Sequence, residues 1–178
     1  MKLLPSFILC AILWVFMGCE EKTQPSVMST IDSRTLPQQE SWNSTIYVSD
    51  SGRISAIIVA GYIRVPESSQ RTEMSQGVKV RFFDRDGNQT SFLTSDEGSV
   101  DEGTDNLEAK KNVVVVSSDS SHMTTEQLFW DNQRQLIYTP AYVQITTTKE
   151  KLQGHGFESD QSLKHYRVFH VTGQTQAE

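Results

Sequence analysis

The chain has 178 residues, with 16 Lys and Arg against 22 Asp and Glu, for a formal net charge of −6. That acidity excludes a nucleic-acid surface built on a basic patch, and the length suits one packed domain plus a short appendage. Hydrophobic residues make up only 37%, and Ser, Thr, Gln and Val dominate over Ala and Leu, which favours β structure. Cys10 and Cys19 are the only cysteines, so the body of the chain carries no disulfide and no thiol chemistry.

The first element is an address. Lys2 precedes an apolar run from Leu3 to Met17, interrupted by Pro5 and Ser6, which ends at Gly18-Cys19 before Glu20-Glu21. A run this short falls below the roughly 20 apolar residues that cross a bilayer, so residues 1–18 read as a signal peptide cleaved before Cys19. Phe16-Met17-Gly18-Cys19 resembles a bacterial lipobox, although Leu is usual where Phe16 stands. The resemblance implies that Cys19 is lipidated; a plain secretory signal is the alternative. Residues 19–44, polar and carrying Pro25 and Pro37, are expected to form a tether, residues 45–173 the folded domain and 174–178 a tail.

From Thr45 onward, short apolar runs alternate with turn clusters such as Ser49-Asp50-Ser51-Gly52 and Asp84-Arg85-Asp86-Gly87-Asn88. This predicts strands at Arg53–Ala60, Val78–Phe83, Ser91–Thr94, Glu108–Ser117, Thr124–Trp130, Leu136–Thr139, Ala141–Thr147 and His165–Val171. No segment offers a long amphipathic helix. Thr94 to Val115 repeats as Thr124 to Ile145 at an offset of 30 residues without a gap. Val100 then meets Trp130, Leu107 meets Ile137 and Val113 meets Val143, which makes the unit a strand, an acidic turn and a strand. A looser third copy near Gly156 would put Phe157 and Asp160 in the places of Trp130 and Asp131. The pattern predicts stacked hairpins with one apolar and one polar face.

Catalytic patterns are missing. His122, His155, His165 and His170, with Glu158 and Asp160 near the last three, do not define metal-ligand spacing. Asp84 to Asn88 looks like a calcium loop, but Gln89 and Ser95 stand where Gly and Glu are required, so a hairpin turn is expected. The pairs Asp96/Glu97 and Asp101/Glu102 lie in turns, and there is no nucleophile elbow, phosphate loop or dinucleotide fingerprint. No enzyme activity, metal or cofactor is expected.

The segments LTSDEGSVDEGTDNLEAKKNVVVVS, MTTEQLFWDNQRQLIYTPAYVQI and LQGHGFESDQSLKHYRVFHVTG, behind an N-terminal anchor and tether, resemble the LptC family of lipopolysaccharide-export proteins over roughly Ser51 to Gly173. The resemblance implies an all-β, twisted and partly open jelly-roll or sandwich of antiparallel hairpins, held at the periplasmic face of the inner membrane of a Gram-negative bacterium. There it would accept lipopolysaccharide from the inner-membrane ABC transporter and pass it to the bridge protein LptA. Many family members use a transmembrane helix as anchor; a lipid on Cys19 would replace it here.

Val78, Val80, Val113, Val115, Leu128, Trp130, Val143 and Ile145 are the expected acyl-chain lining, since each buried CH₂ is worth about 0.8 kcal/mol. Strand parity leaves Val114 and Val116 as the alternative inward pair. Passing lipid along requires free sheet edges. The first predicted strand, with Arg53, Ile54 and Ala60, is the expected edge toward the transporter, and the last, with His165, Tyr166, Val168 and Val171, the edge toward LptA. Ordinary sheet closure is the alternative for both. Two other functions stay open, a lipid-free periplasmic scaffold with a closed sandwich and a β-sandwich that binds or hydrolyses glycans.

Overall fold

Alternation of apolar and polar residues, interrupted every ten or so positions by Gly, Asn, Asp or Ser, gives a purely antiparallel design. A computed structural model describes residues 37–67 and 69–176, within one compact unit, Ser33–Glu178. The described strands are β1 (Pro37–Asp50), β2 (Arg53–Pro66), β3 (Arg71–Phe83), β4 (Gln89–Ser95), β5 (Glu97–Asp101), β6 (Leu107–Ser117), β7 (His122–Asp131), β8 (Leu136–Thr146), β9 (Glu150–Asp160) and β10 (Tyr166–Gln176). They form one sheet in the order β1-β2-β3-β4-β6-β7-β8-β9-β10, with β5 between β3 and β6. Because β4 and β5 both bridge β3 to β6, they act as one strand broken at Asp96. The protein is an all-β jelly-roll.

The sheet is folded in half across its strands. Backbone irregularities line up from strand to strand: Asn43 (φ 50°) opposite Gly61, Gln76 and Gly77 (φ 60° and 89°), Asp96, Lys111 and Asn112 (φ 63° and 51°), Pro140 and Gly156 (φ 74°). Bulges bend and twist a strand, and glycine, asparagine and proline are the residues that tolerate them. A row of bulges is therefore a crease. At Gly61 a β-carbon would lie 2.5 Å from the Gln76 carbonyl oxygen, so the close approach of two strands there requires glycine.

Long-range contacts fix the folding. Tyr166 pairs with Ser159, nine residues from Glu150, which is roughly 30 Å along a straight strand. Yet Tyr166 Oη donates to Glu150 Oε1 at 2.6 Å. Phe82 on β3 and Trp130 on β7 have two strand positions between them in the sheet, and their rings meet edge to face at 5.1 Å. The sheet thus makes two facing walls. The crease joins them on one side, and on the other the hairpin tips of the two walls meet along a seam. There Ser55 Oγ donates to Asn132 Oδ1 at 3.2 Å, and Leu163 of the β9–β10 turn is 1% exposed within the core.

The tips are closed by local chemistry. Ser51 and Gly52 both have positive φ (51° and 80°), as a two-residue type I′ hairpin loop demands. Asp84 Oδ1 accepts the amides of Asp86 and Asn88 at 2.9 and 2.8 Å, and Asp160 Oδ1 accepts those of Ser162 and Lys164 at 3.0 and 3.2 Å. The segment that resembles a calcium loop is the β3–β4 turn.

Several boundaries differ from expectation. The expected tether, 19–44, overlaps β1, which starts at Pro37. Its residues there are polar because an edge strand exposes most of its side chains, and pairing with β2 supplies the backbone hydrogen bonds. Arg53, Ile54 and Ala60 are consequently not on an edge, since β2 lies between β1 and β3. His165 precedes β10 and belongs to its turn. Strand β9 escapes apolar-run reading because Gly154, Gly156 and polar residues fill it. In the looser repeat, Asp160 occupies the place of Asp131, but Ser159, not Phe157, continues the row of Trp130. The predicted signal peptide and Cys19 lie outside the described residues.

Candidate functional site

The interior between the walls is lined by rows that follow the register. On the first wall an unbroken ladder runs Ile46–Ile58–Val80–Leu93–Val115–Met123–Ile145–Leu152 from β1 to β9. Nearer the crease, Ala60, Val78, Val113 and Val143 form a parallel set, all at most 1% exposed. The second wall contributes Met74, Ala109, Leu128 and Phe157, then, closer to the seam, Leu107, Trp130 and Ile137. Full burial of such a side chain stabilises by about 1.5–3 kcal/mol, so these rows are the main cohesive element of the domain.

All eight residues read from the sequence as lining face this interior: Val78, Val80, Val113, Val115, Leu128, Trp130, Val143 and Ile145 are 0–1% exposed. The parity question falls to Val113 and Val115, with Val116 41% exposed on the outer face and Val114 half-buried. Sequence reasoning missed Ile58, Met74, Phe82, Leu93, Met123 and Leu163, and it gave Phe157 only as the Trp130 equivalent of the looser repeat. Alternation in ISAIIVA already marks Ile58. Met74 and Phe157 stand beyond bulges that shift the parity, and Leu163 sits in a turn where no periodicity exists.

Polar groups divide by depth. At the crease, Thr125 Oγ1 donates to the Tyr142 carbonyl at 2.8 Å and Ser95 Oγ to the Glu97 carbonyl at 2.9 Å. These hydroxyls satisfy carbonyls beside the bulges. Outside the interior, at the hairpin tips of the seam, the carboxylates of the turns act as acceptors. Asp119 accepts from Ser117 Oγ and from the Ser121 amide, and both bonds hold its pKa below the usual carboxylate range. Burial raises the Asp160 pKa, but bonds from Ser162, His165 and the Lys164 amide outweigh it and leave the group lowered. Carboxylates fixed in this way build turns rather than carry protons. Among the described residues no three His, Cys, Asp or Glu side chains converge as a metal site.

The two ends of the folded sheet are the strands β1 and β10, each paired on one side only among the described residues. Strand β1 exposes Trp42 and Tyr47 (61% and 64%), with the Trp42 ring 5.6 Å from that of Tyr62. Strand β10 exposes Phe169 and Val171, both 51%, while Tyr166 and Val168 pack partly against the core. The expected edge at β10 therefore carries Tyr166, Val168 and Val171, whereas β1 has the place expected for Arg53–Ala60. From β1 to β10 the interior runs roughly 40 Å at about 4.8 Å per strand.

A family model described as lipopolysaccharide-assembly, LptC-related, matches residues 7–176. No curated protein matches the chain.

Proposed function

The chain belongs to the LptC-related family of lipopolysaccharide-assembly proteins, and from that premise we propose that it conducts lipopolysaccharide between envelope partners without chemical change. Family membership makes it a component of lipopolysaccharide transport in the periplasmic envelope. The finer reading is ours: lipid enters from the inner-membrane ABC transporter at the β1 end, its acyl chains pass between the walls, and it leaves at the β10 end for LptA. Cys19, acylated, would hold the domain to the inner membrane. The 17 residues between Cys19 and the start of β1 at Pro37 would span roughly 23 Å as a flexible tether.

The observation that supports this reading best is the apolar ladder that starts on one free edge strand and reaches β9, next to the other. Acyl chains cannot cross water exposed, and an apolar lane that ends, among the described residues, on strands paired on one side only can be continued by a neighbour's sheet. The walls must part to admit them, because the lining is 0–1% exposed as the domain stands. That same close packing favours the second reading, a scaffold that bridges partners and carries no lipid.

Photo-crosslinking in cells separates the two. A crosslinker at Val113 or Val143 should capture lipopolysaccharide in an ATP-dependent manner, while Val114 and Gln133 should not. Folded, membrane-bound protein with no crosslink at either inward position would leave the scaffold. Loss of membrane attachment in Cys19→Ala would identify the anchor.

A further inference from the structure

Three buried polar atoms lack a hydrogen-bond partner among the described residues: Ser91 Oγ, Trp130 Nε1 and Ser159 Oγ. Buried polar groups are nearly always paired, and an unpaired one costs the folded state its desolvation penalty. Their side chains belong to residues only 1–2% exposed, and their positions are ordered. Ser91 pairs with Phe82 in the seam-side row of the first wall. Trp130 and Ser159 flank Ile137 in the seam-side row of the second. The contact between Phe82 and Trp130, 5.1 Å between centroids, brings both rows to one level. None of the three lies on the deeper rows, and the crease hydroxyls of Ser95 and Thr125 are bonded.

From crease to seam the interior therefore runs from bonded hydroxyls through purely apolar rows to seam-side rows that hold the three unpaired donors among Phe82, Leu107 and Ile137, and then to charged hairpin tips. Beyond those hydroxyls an acylated glycolipid has the same order, from hydrocarbon through ester and amide carbonyls to sugar. The geometry points to Ser91, Trp130 and Ser159 as a hydrogen-bonding collar for the carbonyls that join acyl chains to sugar. The two hydroxyls and the indole N–H donate, and the carbonyl oxygens accept. The chains then lie toward the crease, and the sugar emerges between the tips. This assignment rests on the reading that the chain carries lipid, and it adds what part of the lipid is recognised and where.

The test uses the purified full chain and two probes: lipid A, and a glycolipid with alkyl ether chains of equal length and no acyl carbonyl. Ser91→Ala/Ser159→Ala should weaken lipid A binding by at least about 10-fold and leave the ether lipid unchanged. Its Tm should stay level or rise by about a few degrees, because two unpaired polar atoms have gone. Trp130→Phe, which keeps a ring against Phe82 and removes the N–H, should lower lipid A affinity about 3–10-fold with the same selectivity. Variants that hold lipid A like the wild type, or lose both lipids in equal proportion, would overturn the collar and leave the transport reading standing. Wild-type protein that binds neither lipid would bring down both.

Discussion

The crease and the seam are both lines where the sheet departs from regular geometry, but they solve different problems. At the crease the chain must bend without losing its ladder. Bulges with positive φ do this, and side chains fill the gaps: Asn112 Nδ2 donates to Asp96 Oδ2 at 2.7 Å, and the Asp96 amide donates to the Lys111 carbonyl at 3.0 Å. At the seam two rows of turns face each other with few direct bonds, of which Ser55 to Asn132 is one. Turns are closed by their own side chains, as by Asp84, Asp160 and Thr147, rather than by a neighbour across the gap. A line satisfied internally resists opening, whereas across the seam few hydrogen bonds join the turns and the cohesion comes from the buried rows behind them. The crease is thus the spine of the fold, and the seam is the line along which the proposed parting of the walls would occur.

The largest expected difference is between glycines. Gly61→Ala at the crease would drive a β-carbon to 2.5 Å from the Gln76 carbonyl oxygen. It should cost about 2–4 kcal/mol in urea unfolding, as overpacking with backbone displacement does. Gly52→Ala, at a tip with φ 80° and nothing within 4 Å of the added carbon, should cost only about 1 kcal/mol. Equal costs would remove the contrast between spine and tip.

Next in size is Thr125→Val. It removes the bond to the Tyr142 carbonyl and leaves a buried acceptor short of a partner, so a loss of about 1–2 kcal/mol is expected by chemical denaturation. Its seam-side counterpart, a Ser91 change to Ala, should show no loss.

The smallest effect is on pH. Burial, and then the bond to Glu150, raise the Tyr166 pKa from 10.0 to about 12. A phenol whose folded pKa is raised contributes stability that is complete below pH 10 and is lost as pH rises toward 12. The Tm advantage of the wild type over Tyr166→Phe should accordingly hold at pH 9 and narrow between pH 10 and 12. A constant difference over that range would show that Tyr166 titrates alike in both states.

Much of the fold was legible because strands and turns are local. Alternation in Val78–Phe83 and the 30-residue repeat identified the hairpins, but the two strands expected at Leu136–Thr139 and Ala141–Thr147 are one continuous β8, whose pairing shifts register across Pro140. The edge on the N-terminal side was misread because an edge strand buries little. In β1 Val48 is buried and Ile46 partly so, and a strand with so few inward apolar residues among those described looks like linker. For the candidate site, alternation singled out Val113 and Val115 but left Val114 and Val116 as the other possible inward pair, which burial decides, while Leu163, in a turn without periodicity, gave no signal at all.

Composition and alternation, which depend only on neighbours in the chain, determined an all-β protein of stacked antiparallel hairpins, each strand with one apolar and one polar face; which face of Val113–Val116 turns inward was left to the structure. The tertiary structure alone decided that bulges in successive strands coincide, since a single bulge carries no signal about its partner's position. Their alignment folds the sheet, brings Phe82 against Trp130 and leaves Ser91, Trp130 and Ser159 unpaired at one depth. Burial is a property of the assembled walls, and those polar atoms acquire meaning only when both walls are in place.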